Sequence, residues 1–480
     1  MTTPPPVHAD ALVRSIHPAA HTLRAVTRRF VRYAGVNALD HYDRHFYPQR
    51  IERSADQSLP LIRGSLRKCA PSSSRALHHP PRVVHAIGSL SAGGAERQLA
   101  SFVSTSQRTG LVRHAVLTCH PTTGSAGHYR PLLERAGVDI RTLGEQLGER
   151  AAQRIRSSCA LRRRMIAIPT HLGYEPIEVA GEFLDLEPDV VHAWLDHTNI
   201  FAGVAAIATG APRVILSLRS LAPTHFPNLL CDWMQPWYRV LADEPCVTMV
   251  ANSDAGAADY ARWIGIARER IGVIRNGFDT TQFTAPLDID VANARAALGA
   301  IGRPLVLGIF RLSDEKQPHQ FVHVARRVLK RLPNCVFAIV GDGPMLAEIH
   351  RSTVDLGDSF VTLGRRSDVP ALIACADAML LCSRVEGLPN VLIEAQAFGC
   401  PVVASDAGGT KETMIPDETG FLCPVGDVAG LSDAILRLLI DSELRARMSA
   451  RAKSFARERF PIERMVRETH RLYGMHDGGL

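Results

Sequence analysis

The sequence predicts a parallel α/β protein built as two similar domains in series, and three observations carry that reading. From Arg82 onward, short β-branched runs alternate with longer segments of helical period, the pattern of parallel strands covered by helices on both faces. The rhythm stops over residues 281–302 and then restarts with the same spacing. The chain has 480 residues, 46% of them hydrophobic and 21% charged, which is enough for about three units of roughly 150 residues with packed cores.

Strands are expected at 83–87, 114–119, 189–194, 213–218, 246–251 and 271–274, and then at 305–310, 336–340, 360–363, 378–382 and 402–405. The domain organisation follows: a basic N-terminal extension at 1–80, a first Rossmann-like domain at 81–280, a linker at 281–300 and a second Rossmann-like domain at 301–460. Two long charged helices, 442–460 and 462–473, are separated by Pro461, and the segment 461–480 ends the chain. Open α/β sheets bind ligands at the carboxyl ends of their strands, so the ligand belongs between the domains.

Charge is distributed unevenly. Residues 1–80 hold twelve Arg/Lys and five acids, a net of +7, whereas the rest of the chain holds 43 of each sign. A basic tail on a neutral body points to an anionic surface, whether membrane, nucleic acid or another protein, and says nothing about the chemistry of the body; the location expected is cytoplasmic, with peripheral attachment to an anionic membrane. An arginine-rich, acid-poor start also fits an organellar transit peptide. The cluster Arg150, Arg154, Arg156, Arg162, Arg163 and Arg164 either extends the membrane-facing charge or solvates a helix face. No run of about 20 apolar residues is present to span a bilayer. Ten cysteines are scattered singly with no CxxC pair, so neither disulfides nor a zinc site is expected. Aromatics make up only 6% of residues, too few for a stacking platform, which places nucleic-acid binding a distant third among the functions.

Three segments could carry chemistry. The turn after residues 83–87 contains Gly93, Gly94 and Arg97; its glycines either bring backbone N–H groups to an anion at a helix N-terminus or simply close a tight turn. At the end of 305–310, Arg311 and Lys316 form a cation pair suited to a departing diphosphate, or else a solvated loop balanced by Asp314 and Glu315. The run Glu386–Glu394 follows 378–382, with Pro389 suited to a first helical position and free N–H groups near Leu388, Asn390 and Val391. Glu394 should share a helix face with Asn390 and accept hydrogen bonds from a ribose diol, while Glu386 reaches sugar hydroxyls; otherwise the two are glutamates on a surface helix, against which the apolar run 395–399 argues.

The pair Glu386 and Glu394, followed by 399–404 and Gly408-Gly409, resembles the nucleotide-sugar signature of family 4 glycosyltransferases of the GT-B fold. Arg311 with Lys316, the run 340–344, the run 276–279 and the loop 93–97 resemble that family's other blocks in its order, so the likeness covers about residues 82–475. It implies a retaining, metal-independent hexosyltransferase without a cofactor, moving sugar from a nucleoside-diphosphate donor to a glycan or lipid-linked acceptor in surface polysaccharide or glycolipid synthesis. Glu386, Arg311 and Lys316 would be catalytic. Glu394, Gly387, Leu388, Asn390, Val391, Gly364, Arg365 and Gly341 would bind the donor, and Gly93, Gly94 and Arg97 would form the acceptor-side phosphate loop. The last helix would cross back onto the first domain. Members commonly carry a histidine after the strand equivalent to 214–218, but this chain reads Ser217-Leu218-Arg219-Ser220 there; Arg219, or His192, His197 or His225, would serve instead. A sugar-nucleotide epimerase or a phosphorylase is the alternative within the same fold.

Overall fold

The computed structural model describes residues 78–143, 175–281 and 283–475. The basic extension, apart from its last few residues, and the arginine cluster 150–164 lie outside the described residues. The first sheet comprises β1 (Arg82–Ile87), β2 (Arg113–Thr118), β3 (Asp139–Thr142), β4 (Val190–Trp194), β5 (Arg213–Leu218), β6 (Val247–Ala251) and β7 (Ile271–Val273), in the order β3-β2-β1-β4-β5-β6-β7. The second comprises β8 (Leu305–Ile309), β9 (Val336–Val340), β10 (Phe360–Thr362), β11 (Ala378–Leu381), β12 (Val402–Ser405) and β13 (Gly420–Cys423), in the order β10-β9-β8-β11-β12-β13. The paired strands of both sheets run parallel.

Both sheets are doubly wound, and in each the order reverses between the first and fourth strands. Parallel strands buried on both faces need continuous apolar sequence, and Val-Phe-Ala-Ile-Val of β9 is buried throughout. Each sheet has its own core. Val191, Leu216 and Trp237 belong to the first, and Leu307, Phe321 and Ile339 to the second.

Two short edge strands escape the sequence pattern. β3 reads Asp-Ile-Arg-Thr, with a single apolar residue, and β13 reads Gly-Phe-Leu-Cys, with no β-branched residue, so neither shows the β-branched apolar run by which strands were sought. The stretch expected as a linker carries a helix, Asp288–Ala297. Two aspartates in its first turn favour that end, and Ala294 and Leu298 bury against the second core. Arg295 locks it down with hydrogen bonds to the carbonyl of Arg303 at 2.7 Å and to Asp377 at 2.9 Å. The helix Ser442–Arg459 ends before Pro461, and Ile462–Leu472 turns back to place Ile462, Met465 and Val466 in the first domain's core. The eight described cysteines are all free thiols.

A chain of buried polar groups ties that last helix to the sheet. The Trp194 indole N–H can only donate, and it does so to His85 Nδ1 at 3.2 Å. The direction of every following bond is thereby set: His85 Nε2 donates to His114 Nδ1 at 2.9 Å, and His114 Nε2 to Ser106 Oγ at 2.7 Å. Ser106 Oγ is in turn hydrogen-bonded to His470 Nε2 at 2.6 Å. His192, stacked on Trp194, bonds the hydroxyls of Tyr473 and Ser217 at 2.8 and 2.7 Å.

Burial first, and neighbouring positive charge in three of the four, holds His85, His114, His192 and His470 below the usual histidine pKa, His470 at about 4. The unfolded chain therefore binds protons that the folded chain refuses. The stability these groups contribute is full above the unfolded pKa near 6.5 and declines below it, by about 1.4 kcal/mol per pH unit for each histidine. In an NMR titration, these four of the 20 histidines are expected to show no inflection between pH 8 and about 5.5, while the urea midpoint falls over the acid end of that range. Titration of all four near 6.5 would show that the network is not closed to water.

Candidate active site

The cleft lies where the two doubly wound sheets face one another at their strand-order reversals. From the first domain come Gly94 to Arg97 after β1, Leu195 after β4, Arg219 and Ser220 after β5, Asn252 after β6 and Asn276 after β7. From the second come Ile309 and Phe310 at the end of β8, Lys316, Leu381 at the end of β11, and residues 386 to 391. They enclose about 370 Å³. Leu195 holds a positive φ of 73°, a conformation a leucine keeps only where surrounding packing enforces it, and here it turns the chain from β4 into the cleft wall.

Glu386 lines the cleft and is 8% exposed. Lys316 Nζ approaches its Oε1 at 2.6 Å, and Ser383 Oγ donates to the same oxygen at 2.7 Å. Glycine is obligatory around this carboxylate. A Cβ on Gly409 would stand 1.8 Å from the carbonyl oxygen of Gly387, and one on Gly387 would stand 2.7 Å from Ser220 Cα. The helix that follows, Asn390–Ala397, begins one residue later than the sequence suggests, with Pro389 as its extended N-cap.

Asn390 and Glu394 do share a helix face, and that face is turned to the other domain. Asn390 Nδ2 donates to the carbonyl of Gly94 at 3.2 Å, and Arg97 Nη2 pairs with Glu394 Oε1 at 2.6 Å. Glu394 is 5% exposed and lies behind the cleft lining, and burial raises its carboxyl pKa against the opposing charge of Arg97. Gly93 is the N-cap of the helix Gly94–Gln107, and Glu96 folds back beneath it so closely that a Cβ at Gly93 would meet its carboxylate at 2.0 Å. These contacts, with Gln98 bonded to both the Gly277 carbonyl and Asn390, close the domains upon one another.

The remaining sequence candidates lie farther out. Arg311 is exposed and makes no ion pair among the described residues. Gly341 donates its N–H to the carbonyl of Gly364 at 2.8 Å, and its φ of +145° and the 1.9 Å from its missing Cβ to the Phe310 carbonyl leave no room for another residue. Arg365 is exposed and stands 3.6 Å from Asp342. Neither Gly341, Gly364 nor Arg365 borders the cleft, and Leu388, Asn390 and Val391 do. Of the four residues considered in place of a histidine, Arg219 alone borders it. His192 is held in the buried network, His197 packs edge-on against Trp233 at 5.5 Å, and His225 pairs with Asp259 at 3.0 Å.

Sequence reasoning missed Asn252, Ser220 and the pairing of Arg97 with Glu394. A signal for Asn252 exists: β6 runs directly into Ser253, whose Oγ caps the helix Asp254–Ile264 by accepting from the Gly256 N–H at 2.9 Å. Asn276 was legible within its block, but not its task. Its Nδ2 donates to the Leu388 carbonyl at 3.0 Å and to Asn390, so its oxygen is turned to Arg219 at 2.5 Å. No three His, Cys, Asp or Glu side chains gather as a metal-binding group among the described residues, and none of their helices is long and apolar enough to cross a membrane.

Comparison with known proteins places this geometry. Residues 92–282 match the family described as Glycosyltransferase Family 4, and residues 291–455 match Glycosyl transferases group 1. The Vi polysaccharide biosynthesis protein VipC/TviE of Salmonella typhi is 27% identical over 405 residues, covering 80% of this chain and 70% of its own. An Escherichia coli UDP-Gal:alpha-D-GlcNAc-diphosphoundecaprenol alpha-1,3-galactosyltransferase is 24% identical over 291 residues, covering 59% of this chain and 75% of its own. Among solved structures, Anabaena HepE in complex with UDP-glucose superimposes with a TM-score of 0.66 at 24% identity, over 82% of this chain and 100% of that one. WaaG, a glycosyltransferase involved in lipopolysaccharide biosynthesis, gives 0.60 at 15% identity, over 82% and 100%. Two matched halves in family order, on two doubly wound domains meeting at their switch points, make this chain a family 4 glycosyltransferase of the GT-B fold.

Proposed function

We propose that the protein is a retaining, metal-independent hexosyltransferase that uses a nucleoside-diphosphate sugar and works in polysaccharide or glycolipid synthesis. The observation that carries this reading is the Lys316–Glu386 pair, set at the N-terminus of Asn390–Ala397 and opposite the Gly94–Arg97 turn across the cleft. A diphosphate entering here meets helix N–H groups and a lysine, and it takes over the lysine as Glu386 turns to the sugar hydroxyls. Arg311, next in the chain to the cleft residue Phe310, joins Lys316 in holding the leaving group. The bond from the anomeric carbon to the β-phosphate oxygen breaks, and the bond to the acceptor oxygen forms. In this reading the acceptor's hydroxyl proton leaves on the departing phosphate oxygen, and among the described residues no histidine borders the cleft to take it instead. The UDP and UDP-glucose held by HepE, and the polysaccharide and lipid-linked products named for the relatives, support this donor and acceptor class.

In this reading Glu394 exchanges Arg97 for the ribose diol when donor binds, and the two glutamates separate in experiment. Glu394→Gln should weaken UDP binding by about tenfold in calorimetry, the worth of one charge-assisted hydrogen bond. Glu386→Gln should bind UDP as the wild type does and lose transfer. Equal UDP affinity in wild type and Glu394→Gln would restrict Glu394 to its interdomain pair with Arg97.

The acceptor is a glycan or lipid-linked chain, presented at the cytoplasmic face of an anionic membrane to which residues 1–80 bring the enzyme by charge. Each basic residue near such a surface adds about 1 kcal/mol. Co-sedimentation with vesicles should rise with anionic lipid content and fall with salt for the full chain, and a chain starting at Pro80 should lose most of it. Binding that ignores lipid charge would contradict this attachment.

A further inference from the structure

Among the described residues that line the cleft, Arg219 carries the one cation that makes no ion pair with a carboxylate. Arg97 is paired with Glu394, and Lys316 with Glu386. The Arg219 guanidinium makes a single side-chain hydrogen bond among the described residues, to Asn276 Oδ1 at 2.5 Å, and its buried Nε has no partner. Its guanidinium carbon lies over the Trp194 ring, 4.9 Å from the ring centroid. Burial drops its pKa to about 9.

A guanidinium half-fastened in this way is costly unless a ligand completes it. Arginine is the residue whose planar fork fits a carboxylate through two parallel bonds, and an unpaired buried charge is among the more expensive features a fold can keep. Two devices hold this one ready. The Trp194 ring packs against the guanidinium on one side, and the Trp194 indole is itself fixed by donation to His85. Asn276 turns its oxygen to Nη2 because its Nδ2 is committed to the Leu388 carbonyl and to Asn390. The remaining N–H groups are left for whatever occupies the cleft. The cations for a diphosphate stand on the second domain, whereas Arg219 stands on the first, at the end of β5, with its carbonyl 2.9 Å from the Cβ position of Gly387. Through Asn276, which bonds the Leu388 carbonyl and Asn390, its guanidinium stands beside the Glu386–Asn390 loop, where the donor reading puts the sugar.

Resting on the donor reading above, we propose that Arg219 selects a sugar bearing a carboxylate, a uronic-acid-type unit at the point of transfer. Such a carboxylate belongs either to the transferred sugar of the donor or to the terminal sugar of the acceptor, and the chemistry Arg219 recognises is the same in both.

Calorimetry on the full chain with UDP, UDP-glucose and UDP-glucuronate tests it, followed by titration of a glucuronate-terminated and a glucose-terminated disaccharide in the presence of UDP. A carboxylated donor bound at least tenfold more tightly than UDP-glucose assigns the charge to the donor. No donor preference, with at least tenfold preference for the glucuronate-terminated disaccharide, assigns it to the acceptor. In either case Arg219→Gln should collapse the preference ratio to near one, and Arg219→Lys, which keeps the charge and loses the fork, should leave it in between. Absence of both preferences in the wild type would overturn the proposal whether or not the variants fold. An equal loss of affinity for all three nucleotides in Arg219→Gln would also overturn it, by assigning Arg219 to the diphosphate. Failure of the wild type to bind UDP or any of its sugars would instead count against the donor reading itself.

Discussion

Lys316→Ala is expected to lower kcat for sugar transfer by about 10²-fold or more, read as nucleoside diphosphate release, because it removes one preorganised cation from the charge that develops on the leaving group. The site faces a cleft, and on sequence grounds stability should hardly change. The structure adds a second effect. Lys316 is the charge partner of Glu386, a carboxylate 8% exposed, and without the lysine that carboxylate keeps only the Ser383 hydroxyl at 2.7 Å. A charged-group hydrogen bond left unmade costs about 1–3 kcal/mol, so the melting temperature should fall along with turnover. The double variant Lys316→Ala/Glu386→Gln separates the two effects: it should recover much of the lost stability and none of the activity. Near-normal turnover in Lys316→Ala would remove the lysine from the chemistry.

Gly409→Ala is expected to lower transfer by about 10²-fold although the residue is placed in no contact with substrate. Its Cβ would stand 1.8 Å from the Gly387 carbonyl oxygen and 2.8 Å from Ser253 Cβ, and a backbone oxygen has no rotamer by which to retreat. The loop carrying Glu386 must move. A displacement near 1 Å costs about 10²-fold in rate, and overpacking of this kind costs about 1–3 kcal/mol in stability. Gly272→Ala is the matched control, since its Cβ would meet only the Met249 carbonyl at 3.8 Å, an ordinary contact. Thermal unfolding and a transfer assay on both variants check this, and equal behaviour of the two would show that the close packing of Gly409 on Gly387 is not needed.

The sheets were largely legible because buried parallel strands need uninterrupted apolar runs, as in Val-Ile-Leu-Ser-Leu of β5 and Val-Phe-Ala-Ile-Val of β9. β3 and β13 were not, since Asp-Ile-Arg-Thr holds one apolar residue and Gly-Phe-Leu-Cys no β-branched one. The helix Asp288–Ala297 reads as a loose linker because only one of its residues, Ala294, is buried. At the site, Glu386, Lys316 and the glycine-rich turns announce themselves through residue type at a strand end. What sequence could not give was who pairs with whom. Glu394 could be placed on the face of Asn390 by helical spacing, but that this face meets Arg97 of the other domain depends on how two sheets are docked. Likewise the histidines near β4 and β5 read equally as candidates until the fold buries His192 between Ser217 and Tyr473 and leaves Arg219 at the cleft wall.

The central claim is sugar transfer from a nucleoside-diphosphate donor with its anomeric configuration kept. The most direct measurement is a panel of such donors, screened by diphosphate release with glycan and lipid-linked acceptors in the presence of a chelator, with the product's anomeric proton coupling read by NMR. Transfer that proceeds without divalent metal and gives an α-linked product from an α-linked donor is the predicted result. An inverted product, or a free isomerised nucleotide sugar with nothing transferred, would contradict it.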